Sequence, residues 1–438
     1  MGYGGYLVLM NGCGADLALT YINSYQMNSW NSNFPAKIDA FSSATVYIEY
    51  KEKIFSTWTD DAGDATYSFT TGNLGFKIHA SFSSSDSGYL TTITSLGTSS
   101  SSVFHNGYTP VGIICSASAP TTVVMDSAAN GADRWMQNSM DFIGSKTISE
   151  ISILGSHDSG MSVLNEKTIP TTSCNAVTQF FNVAQQLLLG VRFFDLRPFI
   201  RNGVAYTAHF SDISTLDLGI QGGEGESLAE IISALSSFLS ERNELIILDL
   251  SNANNGGFYT NDGSLSTTSD YIGFTENNYD TICQLLTDAG LPLINYSNVA
   301  NLQLQALLSQ GSAVIAILPD GKFTDSSCLS YSALNIYNEY SDVNNFKTMY
   351  NDQLAKMKAN NNDRVFLLSD TLTQSGADAV GCDVDSSLSI LSLGTTATES
   401  LFEFASSFTQ TLFPNIVLID AVESASSLFL SLYANALS

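Results

Sequence analysis

The sequence predicts two domains of different fold class: an N-terminal antiparallel β-sandwich, and a C-terminal domain that forms a parallel sheet or a (β/α) barrel. Three observations support this prediction. The chain has 438 residues, more than one ordinary hydrophobic core organises. Short β-type runs fill residues 1–118, whereas strand-like runs alternate with helical patterns over residues 132–438. Residues 119–131 are mostly small and polar, so we expect a linker there.

The N-terminal domain shows the period-two pattern of half-buried strands. In the run ATVYIEYKE, Val46, Ile48 and Tyr50 alternate with Tyr47 and Glu49, so one face is expected in the core. Runs of the same kind are YLVLM, ATYSFTTG, LGFKIHASF and YLTTITSL. Many short strands in a segment of this length indicate a sandwich.

The helices predicted for the C-terminal domain repeat an apolar residue every three or four positions. Residues 227–243 open with a capping box of Ser227 and Glu230, and residues 175–190 show the same spacing and end at Gly190. The apolar strand-like runs between helices are ISIL, VRFFDL, LIILDL, AVIAIL, VFLLSD and IVLID.

Several of these runs end in an aspartate: Asp195, Asp249, Asp370 and Asp420. The carboxyl ends of barrel strands meet at one mouth, so the set predicts an acidic mouth. For any one of them, capping of the following helix is the better explanation.

Composition excludes some functions. The formal net charge is -26, from 16 Lys plus Arg against 42 Asp plus Glu. No basic footprint for nucleic acid is present, and electrostatic docking onto anionic membranes is disfavoured. Only 13% of residues are charged, and the polar uncharged surface that this implies favours an extracellular protein. No apolar run is long enough to cross a membrane.

The six cysteines are widely spaced and form no C-x-x-C pair, so zinc and thioredoxin-type sites are not indicated. A Cys13–Cys115 disulfide and buried free thiols remain equal alternatives.

Chemistry is expected where two histidines and an arginine follow strand-like runs. His157 and His209 are the histidines of the C-terminal domain, whereas His79 and His105 fall in the N-terminal domain and receive no catalytic role. One histidine can act as general base and the other as general acid, and an arginine can stabilise charge on phosphorus.

The arginine of this set is Arg197. Strand alternation places Asp195 and Arg197 on one face before Pro198, which suits bidentate phosphate recognition or a structural ion pair.

The segments RWMQNSMDFIGSKTISEISILGSHDSG, LLLGVRFFDLRPF and YTAHFSD resemble the X-domain of bacterial, metal-independent phosphatidylinositol-specific phospholipase C. The resemblance runs from about Arg134 to the C-terminus. It implies a distorted (β/α)8 TIM barrel that needs no cofactor. The implied reaction is attack of the inositol 2-hydroxyl on phosphorus, which yields cyclic inositol phosphate and diacylglycerol.

The resemblance also implies a role for each catalytic side chain. His157 would be the general base that deprotonates the 2-hydroxyl, oriented by Asp420. His209 would be the general acid for the diacylglycerol oxygen, with Asp158 as its partner. Arg197 would bind the phosphate.

Asp195 would lie beside Arg197. Related metal-dependent barrels carry E-x-D where this chain has D-x-R, so we expect no metal. A metal-dependent phosphodiesterase is therefore disfavoured.

The chain departs from the family pattern at the headgroup. Ser251 and Asp320 occupy the regions where the bacterial enzymes hold inositol with cations. We expect Ser251, Asp320 and Asp370 to bind substrate, and an acidic mouth fits polyol hydroxyls better than extra phosphates. Another phospholipid or sphingolipid headgroup remains an alternative, as does a lipid- or glycan-binding protein with a non-catalytic barrel.

The N-terminal segments TYINSYQMNSWNSNFP and ATVYIEYKE resemble the β-sandwiches of aegerolysins and actinoporin-type cytolysins. This resemblance implies lipid contact through aromatics such as Tyr21, Tyr25 or Trp30, although each of them alone is better explained as core. The expected partner is a phospholipid at a membrane surface, bound by a monomer.

Overall fold

A computed structural model describes residues 4–51, 61–69, 74–83, 88–95, 98–103, 107–115, 120–121, 131–169, 171–212, 220–253, 274–360 and 364–438. The chain divides into two compact units. The first comprises Met1–Ala132, Glu399–Phe413 and Ala425–Ser438, and the second comprises Asp133–Thr398 and Pro414–Ser424. Two segments of the predicted domain 132–438 therefore pack with the N-terminal unit. Among the described helices, none combines the length and apolar character needed to span a membrane.

The first unit contains two sheets. Its strands in chain order are β1 (Gly4–Gly12), β2 (Leu17–Tyr25), β3 (Lys37–Ile38), β4 (Ser42–Glu49), β5 (Ala62–Phe69), β6 (Gly75–Ser83), β7 (Gly88–Ser95), β8 (Thr98–Val103), β9 (Tyr108–Cys115) and β10 (Pro120–Thr121). A six-stranded antiparallel sheet has the order β3-β2-β5-β6-β7-β8. A four-stranded sheet has the order β10-β9-β1-β4, with β1 and β9 parallel.

Both sheets contribute to one hydrophobic core, whose members include Leu7, Leu9, Val46, Ile48, Tyr67, Ile78, Val111 and Ile113. The predicted alternation in β4 is confirmed, because Val46 and Ile48 are buried while Tyr47 is exposed. The β-sandwich itself stays a prediction, since the side chains of β7 and β8 lie outside the described part of the chain.

All six cysteines pair in disulfides: Cys13–Cys115, Cys174–Cys382 and Cys283–Cys328. The Cys13–Cys115 alternative is therefore the one that the structure shows.

The second unit is built on a parallel sheet. Its strands are β11 (Ile153–Ser156), β12 (Phe193–Asp195), β13 (Pro198–Arg201), β14 (Val204–Asp212), β15 (Ile220–Ser227), β16 (Leu245–Asp249), β17 (Ala313–Leu318), β18 (Leu329–Ser330), β19 (Ile336–Tyr337), β20 (Val365–Asp370) and β21 (Ile416–Ile419). Eight of them form a sheet in the order β18-β17-β16-β12-β11-β21-β20-β19. When the edge strands β18 and β19 are taken as neighbours across an opening, the order of strands around the ring follows the chain. This order fits the predicted distorted barrel.

The α-helices are α1 (Trp30–Asn33), α2 (Trp135–Asn138), α3 (Met140–Ile143), α4 (Val183–Leu188), α5 (Leu228–Ser240), α6 (Glu276–Asp288), α7 (Leu304–Leu307), α8 (Phe346–Asn360), α9 (Gly376–Gly381), α10 (Ile390–Ser400) and α11 (Leu428–Leu437). Helix α5 begins at the predicted capping box, in which the Ser227 side chain accepts from the Glu230 amide. Short 3-10 helices include Ser173–Asn175 and Leu401–Ser407.

The helix predicted over residues 175–190 is wrong in its first half. Helix α4 begins only at Val183, after the N-cap Asn182, whose side chain accepts from the Gln185 amide. The predicted end is correct, because Gly190 follows the helix with a φ of 96°.

A second sheet of this unit, β13-β14-β15, is antiparallel and enters the chain between β12 and α5. His209 lies within β14 and pairs with Gly223 of β15. This insertion, rather than the end of a barrel strand, carries the second histidine of the predicted site.

Candidate active site

His157 follows strand β11, where the buried run Ile153–Ser156 ends. Its backbone amide donates to the carbonyl of Ile419 on the neighbouring strand β21, at 2.9 Å. That pairing brings Asp420 beside the imidazole, and Nδ1 of His157 lies 2.8 Å from Oδ1 of Asp420. The predicted contact between these two side chains is therefore present, and it fixes the plane of the ring.

Arg197 lies against the same imidazole. Its Nη2 atom is 2.7 Å from Nε2 of His157 and 3.1 Å from Oδ2 of Asp195, and its Nε atom is 2.6 Å from Oδ1 of Asp158. Burial alone would lower the pKa of Arg197, but the charges of Asp158 and Asp195 raise it, so the guanidinium stays charged. The expected pairing of Asp195 with Arg197 is present.

Asp158 lies between the two histidines. Its Oδ2 atom is 3.7 Å from Nε2 of His157 and 3.9 Å from Nε2 of His209. Its φ of 42° is a left-handed conformation that costs free energy outside glycine, and such strain concentrates at functional sites. Both imidazoles thus direct Nε2 towards one buried carboxylate.

The predicted partner of His209, Asp158, lies within ion-pair distance of it at 3.9 Å, which is longer than a hydrogen bond. Instead, Nδ1 of His209 lies 3.2 Å from the carbonyl oxygen of Ala176. A carbonyl can only accept, so Nδ1 carries the proton and Nε2 is free in the neutral ring.

The charges around His157 favour its protonated form. Burial alone would lower the pKa of His157, but the carboxylates of Asp420 and Asp158 outweigh burial and raise it to about 9. The 2.7 Å contact with Arg197 requires Nε2 to accept, so it belongs to the neutral ring. Protonation of Nε2 has to open that contact.

A second pair of acids flanks the arginine. Asp195 of β12 and Asp249 of β16 are in register on adjacent strands, so their side chains share a face. Burial would raise the pKa of Asp195, but the Arg197 and His157 charges lower it overall. Burial and then the charge of Asp195 raise the pKa of Asp249 to about 7.

Ser251 does not point a free hydroxyl at the mouth. Its Oγ donates to Oδ1 of Asp249 at 2.5 Å, and its amide donates to the same atom at 2.9 Å. The other oxygen of Asp249 is buried and has no hydrogen-bond partner among the described residues. The Asp249 oxygen is a further candidate for a ligand contact, and the role of Ser251 stays a prediction.

In the described part of the chain, neither Asp320 nor Asp370 pairs with a histidine, although the charge of Asp420 acts on Asp370. Asp320 is exposed and accepts from the amide and hydroxyl of Ser332, at 3.1 and 2.9 Å. Asp370 pairs in register with Ile419, while Ser369 pairs with Leu418. Gly155 is in register with both Leu418 and Phe193, so these residues share one face of the sheet. Ser369 and Asp195 lie on that same face, and Asp370 therefore lies on the opposite one. The substrate-binding roles of the two acids stay predictions.

The sequence reasoning missed three residues at this site. The Gln179 side chain donates to the His157 carbonyl at 2.7 Å and accepts from the Val422 amide at 3.1 Å. Thr178 Oγ1 donates to the Asp158 carbonyl at 3.0 Å. Burial and the charges of Asp249 and Asp195 raise the pKa of Tyr331, which places its phenol near them. All three occur in ordinary apolar or polar runs that carry no motif.

Three side chains of the site could also ligate a metal: His157, Asp158 and Asp195 offer ligand atoms within 4.8 Å of one another. Arg197 lies against both of these carboxylates. The guanidinium therefore places a positive charge beside both carboxylates.

No family model matches this chain, and no curated protein matches it. The chain is similar to solved structures of bacterial phosphatidylinositol-specific phospholipase C. For a mutant of the Staphylococcus aureus enzyme, identity is 16%, coverage is 70% of this chain and 97% of that one, and the TM-score is 0.48. For a pentafluoro-phenylalanine form of that enzyme, identity is 16%, coverage is 70% of this chain and 98% of that one, and the TM-score is 0.49. For the Listeria monocytogenes enzyme, identity is 17%, coverage is 69% of this chain and 98% of that one, and the TM-score is 0.40.

Proposed function

We propose that this protein cleaves the phosphodiester of an inositol phospholipid by attack of the inositol 2-hydroxyl on phosphorus. One observation carries the proposal: His157 and His209 direct Nε2 towards the same carboxylate, Asp158, and Arg197 contacts it as well. This arrangement supplies a base, an acid and a phosphate-binding cation around one point.

His157 acts as the base. Asp420 holds the Nδ1 proton at 2.8 Å, so Nε2 is the atom that takes the proton of the attacking hydroxyl. Arg197 occupies Nε2 at 2.7 Å in this structure. A bound phosphate would attract the guanidinium, and its shift would free Nε2 for the hydroxyl.

His209 acts as the acid. The Ala176 carbonyl holds Nδ1–H, so a protonated ring delivers its Nε2 proton to the leaving oxygen. The new bond joins the 2-oxygen to phosphorus, and the bond from phosphorus to the diacylglycerol oxygen breaks. The products are a cyclic inositol phosphate and diacylglycerol.

The reaction is proposed to need no metal and no cofactor. The charge of Arg197 lies 2.6 Å from Asp158 and 3.1 Å from Asp195, where it can neutralise the phosphate. The expected consequence is full activity in EDTA.

An uncharged polyol is the proposed headgroup. Asp249 and Asp195 each bury one carboxylate oxygen that has no hydrogen-bond partner among the described residues, and the two side chains share a face. Hydroxyl groups can donate to such oxygens, whereas an additional phosphate would be repelled. Phosphatidylinositol fits this description.

The proposed setting is extracellular, at a phospholipid surface and as a monomer. Three disulfides support an oxidising compartment. Tyr21 and Tyr25 support the lipid contact because they are exposed, whereas Trp30 belongs to the core and donates its ring N–H to the Asp64 carbonyl.

The test follows phosphorus NMR of vesicles that contain phosphatidylinositol, a phosphorylated phosphatidylinositol or a sphingolipid, with and without EDTA. We expect a cyclic phosphate from phosphatidylinositol alone, unchanged by EDTA. His157→Ala and His209→Ala should each lower kcat by about 10²–10⁴-fold. His79→Ala in the first unit is the matched control and should be active, since His79 pairs with Asp64 there.

Other outcomes identify the alternatives. Turnover of a sphingolipid instead would indicate a different headgroup, and loss of turnover in EDTA would refute metal independence. Binding of vesicles without turnover of any lipid would favour a lipid-binding protein with a non-catalytic barrel. Near-normal rates in either histidine variant would contradict the assigned roles.

A further inference from the structure

Residues 171–179 form a segment, here called the strap, that lies beside both histidines. Ala176 accepts the Nδ1 proton of His209, Thr178 donates to the Asp158 carbonyl, and Gln179 donates to the His157 carbonyl. The strap also reaches strand β21, because the Ala421 amide donates to the Thr178 carbonyl at 2.8 Å. One short segment therefore touches all the parts that carry the proposed acid and base.

These contacts involve the interior of the strap. Ala176, Thr178 and Gln179 are at most 1% exposed. A buried polar group that loses its hydrogen-bond partner costs free energy, so such a group and its partner tend to move together. A shift of the strap is thus a shift of the imidazole that it holds.

His209 depends on the strap more than His157 does. His157 has Asp420 as well, at 2.8 Å. For His209, the Ala176 carbonyl is the side-chain hydrogen-bond partner that the structure describes, and Asp158 is 3.9 Å away. The orientation and tautomer of His209 are therefore set by the position of residue 176 in the strap.

The start of the strap is fastened to helix α9. Cys174 forms a disulfide with Cys382, which directly follows α9. The Asn175 side chain donates to the Ala379 carbonyl at 3.1 Å, and the Gln374 side chain donates to the Cys174 carbonyl at 3.3 Å. Helix α9 follows β20, so the strap is tied across the carboxyl ends of β11, β21 and β20, which are neighbours in the sheet.

We propose that the Cys174–Cys382 disulfide is a positioning cross-link for His209. It holds residue 174 in place two positions before the carbonyl that orients the ring. Without it, the hydrogen bonds of the Asn175 side chain and the Cys174 carbonyl fasten the start of the strap to the α9 region, while Thr178 and Gln179 keep their own partners. Residues 174–176 then shift while the parallel sheet stays folded. This inference rests on the proposed function for its effect on rate, but not for its effect on the ring.

The test compares two double variants of the full chain. Cys174→Ser/Cys382→Ser removes the cross-link, and Cys283→Ser/Cys328→Ser removes the other disulfide of the same unit, which lies outside the strap. With phosphatidylinositol vesicles, we expect the first to lower kcat by about tenfold or more with KM within about twofold. We expect the second to change kcat by less than about twofold.

A readout that is independent of turnover completes the test. The chain has four histidines, so the imidazole proton signal of His209 can be assigned by its loss in His209→Ala. The first double variant should shift this signal, and the second should leave it unchanged. If the wild-type protein cleaves no lipid, the proposed function is refuted. The His209 signal still tests whether the disulfide positions the ring. An unchanged His209 signal, or equal loss of kcat in both double variants, overturns the proposal.

Discussion

At the scale of single residues, the site combines one strongly held histidine, the proposed base, with a cluster of opposing charges. His157 takes part in contacts with Asp420, Asp158 and Arg197. The two acids favour a positive ring, and the guanidinium disfavours it. In its proposed role as a base, His157 works only above its raised pKa, because the proposed reaction needs the free electron pair of Nε2.

The pH dependence of the reaction tests this environment. We expect kcat/KM to fall as the pH drops below about 9, the value to which the acids raise the pKa of His157. Asp158→Asn should move this acid limb to lower pH by about 1–3 units, because one favourable charge is lost. Asparagine also tolerates the positive φ of this position. The measurement is initial rate on phosphatidylinositol vesicles from pH 6 to pH 10.

The matched control is Glu276→Gln, which removes an exposed acid of helix α6. Its acid limb should coincide with that of wild type. An acid limb near the ordinary pKa of histidine in the wild type would contradict the charge argument. An acid limb that does not move in Asp158→Asn would contradict it as well.

At the scale of elements, the sequence predicts strands better than the segments that join them. The runs AVIAIL and VFLLSD coincide with β17 and β20, since a buried parallel strand is continuously apolar. Residues 176–182 also repeat apolar side chains at helical spacing, yet they are not helical. Their polar groups bind the ends of β11 and β21 instead, and such partners lie far away in sequence.

Local sequence also could not show how His209 reaches the site. A strand-like run with a histidine looks the same in a barrel strand and in the antiparallel sheet β13-β14-β15. The partner of its Nδ1 atom is a backbone carbonyl, Ala176, which any residue type can provide. Asp420 could be named as a candidate partner because it directly follows a recognisable strand, but its pairing with His157 came from the family resemblance.

Strand β20 contains a buried acid that should make stability depend on pH. Both carboxylate oxygens of Asp370 are buried without a hydrogen-bond partner among the described residues. Burial and then the charge of Asp420 raise the pKa of Asp370 from 3.8 to about 8. The folded state therefore binds a proton that the unfolded state releases, so stability falls as the pH rises from about 4 to about 8.

Asp370→Asn should remove this loss. At pH 9 we expect the variant to exceed wild type in the free energy of unfolding by roughly 2–4 kcal/mol, because no charge is then buried. At pH 5 the two should differ little. Denaturant unfolding at both pH values measures the effect, with Glu276→Gln as the control. A difference that is equal at pH 5 and pH 9 would show that Asp370 ionises normally.

At the scale of the whole molecule, the two compact units do not follow the order of the chain. Helix α11 lies at the C-terminus but packs with β1 and β9 in the first unit, where nearly all its residues are buried. Gly112 shows the closeness of this packing, because a Cβ there would lie 3.1 Å from Phe429. Such an apolar helix could be predicted from the sequence, but the sheet that it covers could not.

The first unit presents exposed aromatic groups, for which we propose contact with lipid. Tyr21 and Tyr25 of β2 are 52% and 57% exposed. With a net charge of -26, attraction to an anionic membrane is not available, so contact has to come from rings that place an apolar body in the interface and a hydroxyl in water. Binding of this kind should persist as salt is raised.

Tyr21→Ser/Tyr25→Ser should weaken partition onto phosphatidylinositol vesicles by roughly 30-fold, since each ring contributes about 1 kcal/mol of apolar burial. The matched control is Tyr296→Ser/Tyr340→Ser, whose tyrosines are 56% and 58% exposed in the second unit. Both are compared by vesicle sedimentation in the His157→Ala background, so that hydrolysis does not consume the lipid. Equal loss of vesicle binding in the two double variants would mean that the contact is not specific to β2. Unchanged binding in both would show that the tyrosines of β2 do not contact the membrane.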